Sequence, residues 1–256
     1  MSRAAIRTQA FSSSRIYRKM HVPPVLAYHK IVEPTAGIKL RGAFTSPKNF
    51  AKQMLFLKKR GFVFHTAAEL IDFYRQNGEF PKRAITVTLD DGWKDNYTNA
   101  FPIMRDLQIK ATIFLVSSCI GRTCSTVVAD GEREREHLAA SDILEMSEYG
   151  IEFGSHTKNH KLLHQIAPAE ISVEVNEAKK EIEYLIQKPC QTFAYPAGFF
   201  TETAVESVKK AGYSAAFSTV YGDNDKINLY ALNRIEILRR NRFLFQFGRT
   251  IKPLET

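Results

Sequence analysis

Little in this 256-residue chain speaks for a disulfide-built or membrane-crossing protein. Three cysteines, Cys119, Cys124 and Cys190, are too few and too odd in number for a disulfide framework. Cys119 and Cys124 lack a second pair to complete a metal site, and the expectation is of ordinary thiols in a reducing compartment. No apolar run approaches the ~20 residues that a bilayer-spanning helix needs. The longest, such as "ATIFLV" (111–116), are strand-sized. Internal repeats are absent, tryptophan occurs once, at Trp93, and histidine runs out at His164.

Acid is missing from the first twenty residues, which carry Arg3, Arg7, Arg15, Arg18 and Lys19. Five of the nine excess positive charges therefore sit there, leaving four for the other 236 residues. The expectation is a flexible basic arm over 1–22, transit-peptide-like in composition, ahead of one domain over 23–256. The arm has no apolar core segment, so a secretory signal is not expected and a cytoplasmic location is favoured. Without aromatic residues interleaved among the basic ones, the charge predicts no nucleic-acid partner.

What is present is alternation. Strand-like "VLAYH" (25–29), "AITVTL" (84–89), "ATIFLV" (111–116), "IEFGS" (151–155), "QTFAYP" (191–196), "SAAFS" (214–218) and "NRIEIL" (233–238) are separated by helical patterns. Ser46 with Pro47 opens one helix, and Thr66 with Glu69 forms a capping box for the next. A further helix is expected over 96–107. Ser141 is the expected cap of "DILEMSEY", and Ile171, Val175, Ala178, Ile182 and Leu185 mark an amphipathic helix. The pattern predicts an α/β fold, a (β/α) barrel of about seven strands, with an open doubly wound sheet as the alternative.

In such barrels chemistry sits at the carboxyl ends of the strands. His29, Asp90, Asp91, His156, His160, Tyr195 and Pro196 all fall there. "DDG" alone reads equally as a turn. His156 and His160 in "SHTKNH" are four apart, which on a helical turn gives two metal ligands on one face. Two histidines and a carboxylate make a three-ligand site with room for water and substrate. If Asp91 is the third ligand, Asp90 stands beside the metal as a general base.

"TLDDG", "SHTKNH" and "FAYPAG", in that order, resemble the NodB-homology polysaccharide deacetylases, carbohydrate esterase family four, over about residues 25–238. The resemblance implies a metal-dependent hydrolase of acetylated sugars, usually with zinc. Asp90 matches its base, Asp91, His156 and His160 its metal ligands, and the Tyr195 backbone N–H its oxyanion donor. Two departures stand out. The family's usual C-terminal acid histidine is missing, and His29 in "AYHKI" is the replacement, as in the circularly permuted branch similar to poly-N-acetylglucosamine deacetylases. The arginine that braces the base is missing from "TFAYPAG", and Arg234 is either its substitute or a solvated side chain. Trp93 either walls a sugar ring or packs the loop, and Pro196 is a second candidate sugar contact. The expected substrate is an acetylated glycan. The competing readings are a non-catalytic carbohydrate-binding module and a non-haem iron oxygenase.

Overall fold

The computed structural model describes residues 22–33, 44–124, 134–219, 227–238, 241 and 243–251. All but the last residue of the expected basic arm, and residues 125–133 of the charged loop, lie outside them. Strands and helices alternate in the order β1 (Val25–Tyr28), α1 (Pro47–Lys59), β2 (Val63–Phe64), α2 (Ala67–Asn77), β3 (Ala84–Leu89), α3 (Phe101–Asp106), β4 (Thr112–Leu115). A short hairpin, β5 (Thr123–Cys124) and β6 (Arg135–Glu136), precedes α4 (Ala140–Tyr149), β7 (Glu152–Ser155), α5 (Pro168–Ile186) and β8 (Thr192–Ala194). The chain continues through α6 (Glu202–Lys210), β9 (Ala215–Ser218), β10 (Leu232–Asn233), β11 (Ile235–Glu236) and α7 (Leu244–Ile251).

Side by side the strands run β10-β9-β8-β7-β4-β3-β1-β11, all parallel, with β2 added beside β3. β10 and β11 hold opposite ends of this path, yet only Arg234 separates them in sequence. The sheet is therefore a nearly closed barrel, seven-stranded when that segment is counted once. The single strand expected over 233–238 is split because it serves two partners. Arg234 N–H donates to Ser218 O at 2.9 Å on one side, and Ile237 N–H donates to Ala27 O at 2.9 Å on the other.

Strand side chains alternate between faces. On β3, Ile85, Val87 and Leu89 pack outward into the main core with Phe50, Met54 and Leu57 of α1. The intervening Thr86, Thr88 and Asp90 face the interior. Phe114 of β4, Ala194 of β8 and Phe217 of β9 form a second apolar cluster with Ala67, Leu70 and Ile71 of α2. Gly154 is needed beside Phe114, since a Cβ there would come within 2.6 Å of that ring. The start of α2 plugs the barrel's amino end: Ala68 N–H donates to the Glu152 carboxylate at 2.9 Å and Ala67 N–H to Thr112 Oγ1 at 2.8 Å.

Local signals set most helix starts. Ser46 caps α1 through Asn49 N–H, and Thr66 and Glu69 exchange both bonds of a capping box. At α4 the cap is Asp142, whose carboxylate accepts from Ala139 N–H at 2.8 Å; Ser141 already lies inside the helix. The helix expected over 96–107 comes in two pieces, a π-helical turn (Asn96–Ala100) and then α3. Cys119 and Cys124 also depart from expectation. The turn after β4 and the β5–β6 hairpin bring their Cα atoms to 5.9 Å, and the two sulfurs are bonded. Cys190 is a buried free thiol.

Candidate active site

Because the strands are parallel, all their carboxyl ends open on one rim. Tyr28 pairs with Leu89, so the next residues, His29 and Asp90, stand side by side. His156 follows β7 at the same level. Arg234, at the barrel seam, reaches across to the same point.

Asp91 and Gly92 both adopt left-handed backbone (φ 74° and 72°), the turn that swings Asp91 away from Asp90. Glycine is required at the second position: a Cβ would sit 2.7 Å from Leu115 Cδ2. Asp91 Oδ1 then lies 3.7 Å from His156 Nε2 and 3.5 Å from His160 Nε2. His156 Nδ1 is 2.7 Å from Ala194 O, a contact that only an N–H can make favourably, so the Nε2 lone pair faces Asp91. Burial pushes the His160 imidazole down to about 4 against the pull of Asp91, so it is neutral near pH 7. Asp91 Oδ1 is buried with no hydrogen-bond partner. A carboxylate oxygen without a hydrogen-bond partner facing two imidazole nitrogens forms a cup that could hold a cation. The donor separations are close to the edge of a tetrahedron with bonds of ~2.1 Å, and one oxygen with two nitrogens suits zinc.

Asp90 is held differently. Arg234 Nη1 and Nη2 donate to its two oxygens at 2.6 and 2.7 Å, and Nη1 also reaches Thr88 Oγ1 at 3.0 Å. Burial alone would raise this carboxyl. The charge of Arg234, with His156, the Arg234 hydrogen bonds and His29, outweighs it and holds Asp90 well below the usual carboxylate range. His29 Nε2 lies 3.9 Å and His156 Nε2 4.0 Å from Asp90 Oδ2.

The structure thus gathers six of the residues expected from sequence: His29, Asp90, Asp91, His156, His160 and Arg234. Others do not take their expected places. The His156–His160 segment is an irregular loop with Thr157 and His160 in left-handed conformation (φ 68° and 57°), not a helical turn. Tyr195 N–H donates to Phe217 O at 3.0 Å within the sheet, so it is committed and offers no oxyanion donor. Its side chain is buried, the hydroxyl donating to Tyr230 O. Trp93 is 0% exposed and has no face for a sugar; its indole N–H donates to Asp91 Oδ2 at 2.8 Å and its ring stacks on His137 at 4.2 Å. Pro196 is buried as well, whereas Phe199 in the same turn is half-exposed. His164 is exposed, its ring 5.2 Å from that of Phe199.

Sequence reasoning missed the residues that hold these in place. Buried Glu174 of α5 accepts from Asn159 N–H and Asn159 Nδ2, both at 2.7 Å, clamping the loop between the two histidines. From the π-helical turn, Asn96 Nδ2 donates to His29 O at 2.9 Å and Asn99 Nδ2 to Ile31 O at 2.8 Å, while Asp95 accepts from Ile31 N–H at 2.7 Å. The one available signal was polar clustering in "KDNYTN", which a helix pattern obscures.

Residues 77–216 match the polysaccharide deacetylase family model. The chain is 28% identical over 189 residues to the poly-beta-1,6-N-acetyl-D-glucosamine N-deacetylase of Staphylococcus aureus, covering 70% of this chain and 62% of that protein. Among solved structures it is similar to the Streptococcus pyogenes deacetylase PplD in complex with acetate, at 26% identity and TM-score 0.75, covering 89% of this chain and 97% of that one. It is also similar to BC0361, a polysaccharide deacetylase from Bacillus cereus, at 29% identity and TM-score 0.72, covering 89% of this chain and 68% of that one.

Proposed function

This chain belongs to the polysaccharide deacetylases, and from that membership we propose that it hydrolyses the acetamide of an N-acetylated glycan with the help of a divalent cation, zinc by its donor set. Asp91, His156 and His160 would hold the cation. The observation that carries this reading is the position of Asp90, gripped by Arg234 and lying 4.0 Å from a nitrogen of the cup and 3.9 Å from His29. When bound, a cation of this kind polarises an acyl oxygen and acidifies water.

Asp90 is the base. Arg234 fixes its plane and keeps it ionised, so it is always ready to take a proton from an attacking water. Its proton affinity is low, so it acts only on water that is already acidified. His29 is the acid. Its side chain is 23% exposed, while Asn96 and Asn99 hold its backbone and the next turn. In its protonated form it delivers a proton to the departing nitrogen, which is otherwise a poor leaving group. Trp93 fixes Asp91 by donating to the carboxylate oxygen that does not face the histidines. The products are acetate and a free amino sugar.

The test is acetate release from N-acetylglucosamine oligomers and acetylated polymers, including the polymer that names the staphylococcal relative, with and without a chelator. Chelator-sensitive release supports the reading. Release that survives full chelation, or none from any substrate by a zinc-loaded protein, sinks it.

A further inference from the structure

Three side chains beside the cup have no part in hydrolysis. Cys119 ends the turn after β4, Cys124 lies on β5, and His137 directly follows β6. The hairpin brings them together: Cys124 pairs with Arg135, and His137 N–H donates to Arg122 O at 2.9 Å. One potential ligand atom from each of the three lies within 4.8 Å of the other two. His137 is 3% exposed, and neither of its ring nitrogens makes a hydrogen bond of normal geometry, the backbone of Arg122 and Arg135 giving only looser contacts. Buried polar groups are nearly always satisfied, and stacking on Trp93 satisfies neither nitrogen. One of these nitrogens lies beside the two sulfurs, a donor set of the kind that holds a metal.

We propose that Cys119, Cys124 and His137 form a second metal site, for a thiophilic cation of the zinc class, that exists only while the two cysteines are reduced. In the disulfide form the sulfurs are spent on each other. A trialkylphosphine converts one state to the other: the sulfur–sulfur bond takes up two electrons and two protons, and the phosphine leaves as its oxide with the oxygen of water. Binding the cation then releases the two thiol protons, since thiolates are the ligands. Two thiolates and one imidazole leave a fourth position open. Thiolate donors set this site apart from the harder oxygen-and-nitrogen cup. The two are linked through Trp93, whose ring lies on His137 and whose N–H holds Asp91.

The experiment counts zinc bound by the full chain, and records its cobalt(II) spectrum, before and after phosphine reduction. The oxidised protein should bind one equivalent and the reduced protein two. The reduced cobalt form should gain a thiolate-to-metal charge-transfer absorption that the oxidised form lacks. Reduced Cys124→Ser should fall back to one equivalent without that band. Reduced Asp91→Asn should also bind one, but keep the band, which separates this site from the cup. If the cup reading fails, reduction still raises the count by one and brings in the band. An unchanged count on reduction, or a reduced wild-type cobalt spectrum without the band, overturns the proposal without reliance on any variant.

Discussion

Arg234 grips Asp90 through two parallel N–H···O bonds of 2.6 and 2.7 Å, although Arg234 sits at the barrel's closing seam and Asp90 follows β3, two strands from β11. The pair is almost wholly buried, so neither partner is readily replaced.

Lysine cannot reproduce this fork, since an ammonium offers no fixed pair of parallel donors. Arg234→Lys should keep metal and lower kcat by about 10²-fold, the order expected when a catalytic group is misplaced by an ångström. Arg234→Ala leaves a buried carboxylate without its main partner and should destabilise the fold by about 3–5 kcal/mol. It also leaves burial less opposed, so the Asp90 carboxyl rises and the acid limb of the kcat/KM profile moves to higher pH. Rate profiles of the two variants, with denaturation midpoints, check this; a wild-type profile for Arg234→Ala would remove the brace from the mechanism.

Asp90→Asn and His29→Ala should each lower kcat by roughly 10²–10⁴-fold, as expected for loss of a positioned proton-transfer group. Neither touches the cup, so metal content should stay at the wild-type level. Steady-state kinetics paired with metal analysis decides it. Near-normal turnover in either variant would show that the role is wrongly assigned.

Glu174 offers a test of the histidine loop. Glu174→Ala removes both acceptors from Asn159 and frees the segment that carries His156 and His160. Loss of such supporting contacts typically weakens metal binding by about 10–100-fold. Competition with a chelator of known affinity measures it. An unchanged affinity would mean that the loop is held by its own backbone.

Asp95 makes stability depend on pH. Burial raises its carboxyl to about 6 from an ordinary 3.8, against the pull of the Ile31 N–H, Arg135, Lys30 and Asn96. Between those values the folded chain keeps a proton that the unfolded chain has released. The contribution is therefore full at low pH and is lost as pH rises through about 6. Asp95→Asn keeps an oxygen for Ile31 N–H but has no proton to lose. The stability of wild type relative to this variant should fall between pH 4 and pH 7. Parallel urea titrations read the difference, and a flat one would count against the shift.

The gathering of the site was readable where a residue's position follows from its place in the chain. Asp90, Asp91, His156 and His29 each come directly after a strand, and parallel strands put those positions on one rim whatever the detailed packing. Arg234 was readable as an arginine near a strand, but not as the seam, because the split between β10 and β11 depends on two different partners. Tyr195 was misplaced because the destination of an N–H depends on sheet register, and here β9 claims it. Trp93 and the cysteine pair turned on the β5–β6 hairpin, two residues to a strand and too short to leave a pattern. Glu174 was hidden in a helix whose apolar stripe was clear, since the stripe says nothing of the polar residue buried next to Val175.

The seam also fixes an order of events during synthesis. Every residue of the cup, and Asp90 itself, has been synthesised by His160, but the guanidinium that steadies Asp90 comes more than seventy residues later. A chain halted in between carries Asp91, His156 and His160 while Asp90 lacks its brace and β1 lacks one neighbour. Premature release should therefore yield fragments in which the barrel is unclosed and Asp90 is unbraced.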